Sequence, residues 1–122
     1  MRVFRVIDKK TGRCLLPEVG MAERVLPRFL GLMGRSGLEP EAGLYFPRCS
    51  SIHMFFMRFA IDAVYVDKEL KVRRIVHGLK PWRLSWCPGA YGVLETQAGW
   101  AQKVGLTVET ELALEERAEQ ER

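Results

Sequence analysis

Three charged or ionisable side chains interrupt an apolar segment near the middle of the chain. His53, Arg58 and Asp62 lie within residues 52–67, among methionine, phenylalanine, isoleucine, valine and tyrosine residues. Charged groups inside a core strand reduce stability unless they are paired or hydrogen-bonded. The segment therefore predicts either a structural ion pair or a binding site.

The first interpretation joins Arg58 to Asp62, which lie four residues apart across a predicted bend. A guanidinium and a carboxylate at this separation can form a bidentate salt bridge that fixes the turn. We favour this structural role. In the alternative, the planar guanidinium group of Arg58 binds a carboxylate or phosphate of a ligand, and Asp62 only orients the arginine.

A catalytic interpretation uses His53 as a general base near neutral pH, with Glu95 on a later strand orienting its ring. A histidine among apolar neighbours is more often a hydrogen-bonded core residue. Strand alternation also places His53 and Arg58 on opposite faces. The candidates for catalysis are His53, Asp62 and Glu95, and no complete catalytic set is visible.

A metal site would begin from Cys49 and His53, which three residues separate, with Cys87 and His77 elsewhere in the chain. In number these four groups would satisfy tetrahedral zinc, but they lack the paired short spacings of structural zinc sites. No glycine-rich phosphate loop follows a strand. We therefore expect neither a bound metal nor a cofactor.

Two tryptophans, Trp82 and Trp86, lie in a connection bounded by prolines. Large amphipathic rings in such a connection either cover an edge of the core or form a contact surface. Covering the core is the commoner case and the one we favour. In the second case Trp82, Arg83 and Trp86 would anchor a protein or peptide partner.

The charge is divided along the chain. Residues 1–80 hold 15 basic and 8 acidic side chains, whereas residues 81–122 hold 4 basic and 7 acidic ones. The basic side chains of residues 68–74 lie around one turn without aromatic residues spaced for base stacking, so we expect no nucleic-acid partner. No apolar run reaches the ~20 residues of a membrane helix, and no signal-peptide pattern is present, so we expect a cytoplasmic protein.

Short strands account for most of the elements that position these residues. The helical spacing of apolar residues predicts a first helix over 23–34 and a second, shorter one over 98–105. The class is therefore α+β, a compact β-rich single domain with a mostly antiparallel, meandering sheet or a partly open barrel and two short helices. The domain covers residues 1–114, and the polar residues 115–122 form a frayed tail. The predicted strands are 2–8, 13–16, 43–46, 52–56, 62–66, 72–76 and 91–97.

Four stretches of the chain resemble the domain of unknown function 192 family in order and spacing. They are residues 28–35 (RFLGLMGR), 43–46 (GLYF), 52–67 (IHMFFMRFAIDAVYVD) and 93–106 (VLETQAGWAQKVGL). The resemblance covers about residues 22 to 114. It implies a compact β-rich domain of bacteria and archaea with no established activity.

The chain departs from that family pattern at two places. Ala60 stands where a proline is usual, and residues 108–110 stand where a Gly-Asp turn commonly precedes the last strand. The first change relaxes a backbone restraint. The family-like polar positions are retained, and they are His53, Arg58, Asp62 and Glu95.

The sequence favours a noncatalytic binding module that takes a small anionic ligand or a protein partner on a concave surface. The alternative is a hydrolase-like or metal-assisted enzyme that uses His53 with Cys49, Asp62 or Glu95. That alternative requires these groups to converge in a cleft. The ligand-binding candidates are His53, Arg58, Asp62, Glu95 and Trp82.

Overall fold

The computed structural model describes residues 2–22, 38–55 and 57–117 of the chain. The first predicted helix, over 23–34, lies outside the described residues. No helix within these ranges is long and apolar enough to cross a lipid bilayer. The elements are β1 (Val3–Asp8), β2 (Cys14–Met21), β3 (Ala42–Pro47), β4 (Ser51–His53), β5 (Ile61–Val66), β6 (Val72–Leu79), β7 (Leu84–Trp86), β8 (Gly92–Gln97), α1 (Trp100–Lys103) and β9 (Leu112–Glu116).

Among the described residues, seven strands form one mixed sheet in the order β6-β5-β8-β3-β2-β1-β9, and β4 and β7 form a separate two-stranded sheet. Strands β2 and β3 run parallel, whereas the other neighbours are antiparallel. The β-rich prediction is confirmed, and the second predicted helix is present as the single turn α1. The predicted meander is wrong, because β8 lies between β5 and β3. One bridge, Lys71 with Glu111, links the two edge strands without closing the sheet.

Two strands lie where the sequence predicted other structure. Strand β7 lies inside the connection bounded by prolines, where no strand was predicted. Strand β9 runs to Glu116, two residues into the predicted tail, and pairs with β1. Exposed ion pairs join Arg2 to Glu116 at 3.3 Å and Arg5 to Glu115 at 3.1 Å. Backbone pairing at the sheet edge therefore orders a polar segment that has few apolar side chains of its own.

The turn before β9 forms without the glycine that the family pattern uses. Glu109 takes the left-handed conformation, with φ of 83°. The Thr110 hydroxyl accepts a hydrogen bond from the Thr107 backbone N–H at 3.1 Å. The turn therefore places Glu109, a residue with a Cβ atom, in a conformation that strains its backbone.

Buried side chains lie on both faces of the large sheet. On one face the indole N–H of Trp100 donates to the carbonyl of Leu15 at 3.0 Å. Strand β5 serves both faces, because Val64 and Val66 join one buried cluster while Ala63 and Tyr65 join the other. This alternation along β5 separates the surroundings of Asp62 from those of Tyr65.

The hydroxyl of Tyr45 is buried and has no hydrogen-bond partner among the described residues. Burial raises the pKa of Tyr45 from 10.0 to about 12. The unfolded chain therefore loses this proton at lower pH than the folded protein does. The stability that Tyr45 contributes is fully present below about pH 10 and is lost as the pH rises towards 12.

Tyr45→Phe is accordingly expected to leave the free energy of unfolding at pH 7 unchanged, or to raise it by about 1 kcal/mol. Above pH 10 the variant should lose less stability than the parent protein. Part of the loss of stability above pH 10 should remain in the variant, because burial also raises the pKa of Tyr65. Urea denaturation at neutral and alkaline pH measures both effects. A clear loss of stability at pH 7 would contradict an unbonded hydroxyl.

Candidate functional site

The two-stranded sheet of β4 and β7 presents one side to the core and the other to solvent. His53 on β4 lies opposite Leu84 on β7, and Trp86 shares their side because side chains alternate along a strand. Ser85 points the other way, and its hydroxyl lies 3.0 Å from the Tyr65 hydroxyl in the core. The inner side is thus attached to β5, and the outer side is free to carry exposed groups.

Five exposed side chains form what we call the aromatic face. The rings of His53 and Phe55 stack with centroids 4.7 Å apart, and those of Phe55 and Trp82 with centroids 5.8 Å apart. Trp82 and Trp86 are 58% and 59% exposed. The interpretation that these two tryptophans cover the core is therefore wrong. The aromatic face consists of His53, Phe55, Trp82, Leu84 and Trp86.

Trp82 occupies a backbone position that normally favours glycine. The N–H of Arg83 donates to the carbonyl of Lys80 at 3.3 Å, which closes a turn with Pro81 second and Trp82 third. The φ of Trp82 is 70°, as the third position of a type II turn requires. A bulky residue in this conformation costs roughly 1–3 kcal/mol. The chain therefore carries an exposed tryptophan at the tip of this turn despite backbone strain.

The chain around the aromatic face is basic and lacks acidic residues. Residues 48–61 and 72–94 contain six basic side chains and no aspartate or glutamate, and all six are exposed. Nη1 of Arg74 on β6 donates to the carbonyl of Trp86 at 2.5 Å. The fold thus places a basic residue of the β5–β6 hairpin beside an aromatic residue, which the sequence interpretation did not anticipate. The six residues are Arg48, Arg58, Arg73, Arg74, Lys80 and Arg83.

Asp62 is fully buried and binds backbone N–H groups. Its Oδ1 accepts from Gly78 at 2.9 Å, and its Oδ2 accepts from Gly99 at 3.1 Å and Ala101 at 3.0 Å. Arg58 is exposed, and among the described residues no ion pair joins it to Asp62. The predicted salt bridge is therefore wrong. The carboxylate instead connects β5 to a bulge of β6 and to the start of α1.

The other candidate residues lie in different surroundings. Glu95 is buried on β8, opposite Ala63 of β5. The thiol of Cys49 donates to the carbonyl of Ser51 at 3.0 Å, and Nδ1 of His53 accepts from the Phe55 backbone N–H at 3.4 Å.

The structure does not bring Asp62 to His53, because both Asp62 oxygens bind backbone N–H groups elsewhere. In the described part of the chain, no three His, Cys, Asp or Glu side chains are placed to hold a metal ion. Of the five ligand-binding candidates, His53, Arg58 and Trp82 are exposed, whereas Asp62 and Glu95 are buried.

The sequence interpretation missed Phe55, Leu84 and Arg74 as parts of the site. A signal for Leu84 was present, because Trp82, Leu84 and Trp86 alternate with other residues at the period of a strand. That alternation would have placed the three on one side. No comparable signal exists for Arg74, which approaches Trp86 only through the packing of β6 against β7.

Comparisons with known proteins agree with this architecture. A model of the domain of unknown function 192 family, described as "Uncharacterized ACR", matches residues 6–114. A UPF0127 protein of Thermococcus sibiricus is 31% identical over an alignment of 100 residues, and the match covers 77% of this chain and 64% of that protein. A UPF0127 protein of Pyrococcus furiosus is 33% identical over an alignment of 84 residues, and the match covers 64% of this chain and 69% of that protein. The chain thus spans slightly less than two thirds of the Thermococcus relative.

Two solved structures share the fold. One is a Sinorhizobium meliloti protein suggested to be a transcription regulator, with a TM-score of 0.78 and 23% identity over 93% of this chain and 92% of that one. The other is a Novosphingobium aromaticivorans protein of unknown function, with a TM-score of 0.75 and 21% identity over 93% and 84% of the two chains. At these identities the likeness concerns the fold alone.

Proposed function

Because this chain belongs to the domain of unknown function 192 family, which is uncharacterised, we propose its function from the site itself. It is a noncatalytic binding module that takes an anionic ligand or partner on the aromatic face. The observation that carries this proposal is the exposure of Trp82 and Trp86, at 58% and 59%, in a part of the chain (residues 48–61 and 72–94) that holds six exposed basic residues and no carboxylate.

The composition of this surface fits recognition. Binding surfaces are enriched in tryptophan and arginine and depleted of acidic residues at their centre. Four of the five large hydrophobic side chains exposed in the described residues belong to the aromatic face. Covering them would remove apolar area from water, and the surrounding arginines would attract negative charge. The expected partner therefore combines negative charge with flat or apolar groups.

The strain at Trp82 supports the same proposal. A glycine at this position would adopt the observed φ of 70° without a steric cost. A tryptophan is retained there although it contributes little to the core, being 58% exposed. Strained residues of this kind cluster at binding and catalytic sites.

Nuclear magnetic resonance on the full chain tests the proposal through the three indole N–H signals. The probes are pyrophosphate, a peptide of alternating glutamate and leucine, and a short oligothymidylate, each added to the ¹⁵N-labelled protein. We expect at least one probe to shift the signals of Trp82 and Trp86. Trp100 is the internal control, because it is 5% exposed and its indole N–H already donates to Leu15. If no probe moves the two exposed indoles, the proposed function is wrong.

Trp82→Gly separates binding from folding. The substitution should raise the free energy of unfolding by about 1 kcal/mol, because glycine relieves the strain of the left-handed backbone. It should at the same time weaken the response of Trp86 to the active probe. Urea denaturation and the same titration measure the two effects. A variant that is less stable yet binds as well as the parent would assign Trp82 to the core after all.

A further inference from the structure

We infer that the anionic partner is single-stranded nucleic acid, with its bases stacked on the rings of the aromatic face and its phosphates held by the neighbouring basic residues. This inference rests on the proposed function and specifies the class of partner. It reverses the sequence-based expectation of no nucleic-acid partner, because the fold brings Arg74, one of the basic residues at 68–74, to the carbonyl of Trp86 and so beside the rings of the β4–β7 sheet.

The chemistry of a nucleotide matches the groups on this surface. Each nucleotide supplies one flat ring and one negative charge, so a single strand presents both at every step along its length. The aromatic face supplies four rings, and residues 48–61 and 72–94 supply six exposed cations without one carboxylate. Proteins that bind single strands combine aromatic stacking surfaces with positive charge in this way.

The rings are arranged in a row. His53, Phe55 and Trp82 form a continuous series with centroid separations of 4.7 and 5.8 Å. Trp86 ends β7 two residues beyond Leu84, which lies opposite His53, and two residues of a strand correspond to about 7 Å. The rings therefore extend along the surface over a length that suits more than one base. Arg74, bonded to the carbonyl of Trp86, holds a guanidinium at the far end of this series.

Stacking geometry favours a single strand over other partners. In a duplex the bases are stacked on one another, so exposed rings on a protein surface reach them only where the strand is unpaired. The apolar side chains of an acidic peptide could cover the rings, but only flat bases stack face to face on them. Five of the six basic residues are arginines, whose planar guanidinium groups bind phosphate bidentately and stack on aromatic rings.

Fluorescence anisotropy of a labelled twelve-residue oligothymidylate, titrated with the full chain at low salt, tests the inference. We expect saturable binding. The logarithm of the association constant should fall linearly as the logarithm of the salt concentration rises. Trp86→Ala should weaken binding at least about fivefold, because stacking on one aromatic ring has an effect of this size or larger. Trp86→Phe should restore part of the lost affinity, since it retains a stacking ring.

A matched pair of lysines controls for diffuse charge attraction. Lys80 borders the turn of Trp82, whereas Lys10 lies in the β1–β2 turn, and both are exposed. Lys80→Gln should weaken binding and Lys10→Gln should not. Equal losses in both variants, together with an unaffected Trp86→Ala, would overturn the inference in favour of unspecific attraction.

Two further outcomes are decisive. Equal affinity for a hairpin duplex would overturn the preference for single strands. If the acidic peptide shifts the Trp82 and Trp86 indoles while the oligothymidylate does not bind, the nucleic-acid inference is wrong and the proposed binding function stands. If pyrophosphate alone shifts these indoles, the nucleic-acid inference is again wrong and the binding function stands, and if none of the three probes acts on them, both are wrong.

Discussion

Asp62→Ala is expected to lower the free energy of unfolding by about 4 kcal/mol, because three backbone N–H groups, one of them fully buried, lose a charged acceptor at once. These donors belong to Gly78, Gly99 and Ala101, and all three lie within 3.1 Å of the carboxylate. The loss affects the bulge of β6 and the first turn of α1 together. Urea denaturation followed by circular dichroism measures it.

Two variants make this result specific to the carboxylate. Asp62→Asn keeps one acceptor oxygen and turns an amide group towards the remaining donors, so about half of the loss is expected. Arg58→Ala should change stability by less than about 0.5 kcal/mol, because the arginine is exposed and does not pair with Asp62. A buried Arg58–Asp62 bridge would instead make Arg58→Ala cost about 3–5 kcal/mol. That outcome would contradict the geometry of the site.

Side chains alternate between the two faces of β5, and this alternation predicts that Asp62 variants leave the aromatic face unchanged. Tyr65, on the other side of the strand, holds the β4–β7 sheet through Ser85. Asp62→Asn should therefore leave the indole signals of Trp82 and Trp86 at their original positions. A shifted aromatic face in this variant would indicate that the two sides of β5 are coupled.

The strands were the most predictable part of the fold, because a period of two in apolar residues follows directly from the geometry of a half-buried strand. Strands β1, β5 and β8 lie close to their predicted ranges, whereas β2 runs five residues beyond its predicted end. Strand β7 was missed because it has three residues and lies between prolines. The sheet order could not be predicted, since the parallel pairing of β2 with β3 depends on contacts between distant parts of the chain.

The candidate site shows the same division between local and distant information. The sequence indicates that Asp62 is an unusual residue among apolar neighbours. It does not indicate that its partners are backbone groups 16, 37 and 39 residues further along the chain. A nearby arginine was the obvious partner in the sequence, but backbone amides satisfied the carboxylate and left Arg58 at the surface. The aromatic face likewise depends on distant contacts, because the complete β5–β6 hairpin separates β4 from β7 along the chain.

Gly92→Ala is the second substitution for which a large effect is expected, about 3 kcal/mol of lost stability. A Cβ atom at Gly92 would overlap the hydroxyl oxygen of Tyr45 and lie 2.7 Å from Cζ and 2.9 Å from Cε1 of its ring. Tyr45 is 5% exposed and packs in the core, so the ring has little room to move aside. Forcing a methyl group into a filled core typically costs about 1–3 kcal/mol, and more where the neighbour is rigid.

A double-mutant cycle identifies Tyr45 as the cause. Tyr45→Leu alone removes the ring and costs stability through the space that it leaves. Adding Gly92→Ala to that variant should cost little more, because the methyl group then enters vacated space. The coupling energy between the two positions should therefore nearly equal the cost of Gly92→Ala alone. If the two losses add, the methyl group clashes with the backbone of β8 or its neighbours, and the tyrosine ring is not what requires glycine at this position.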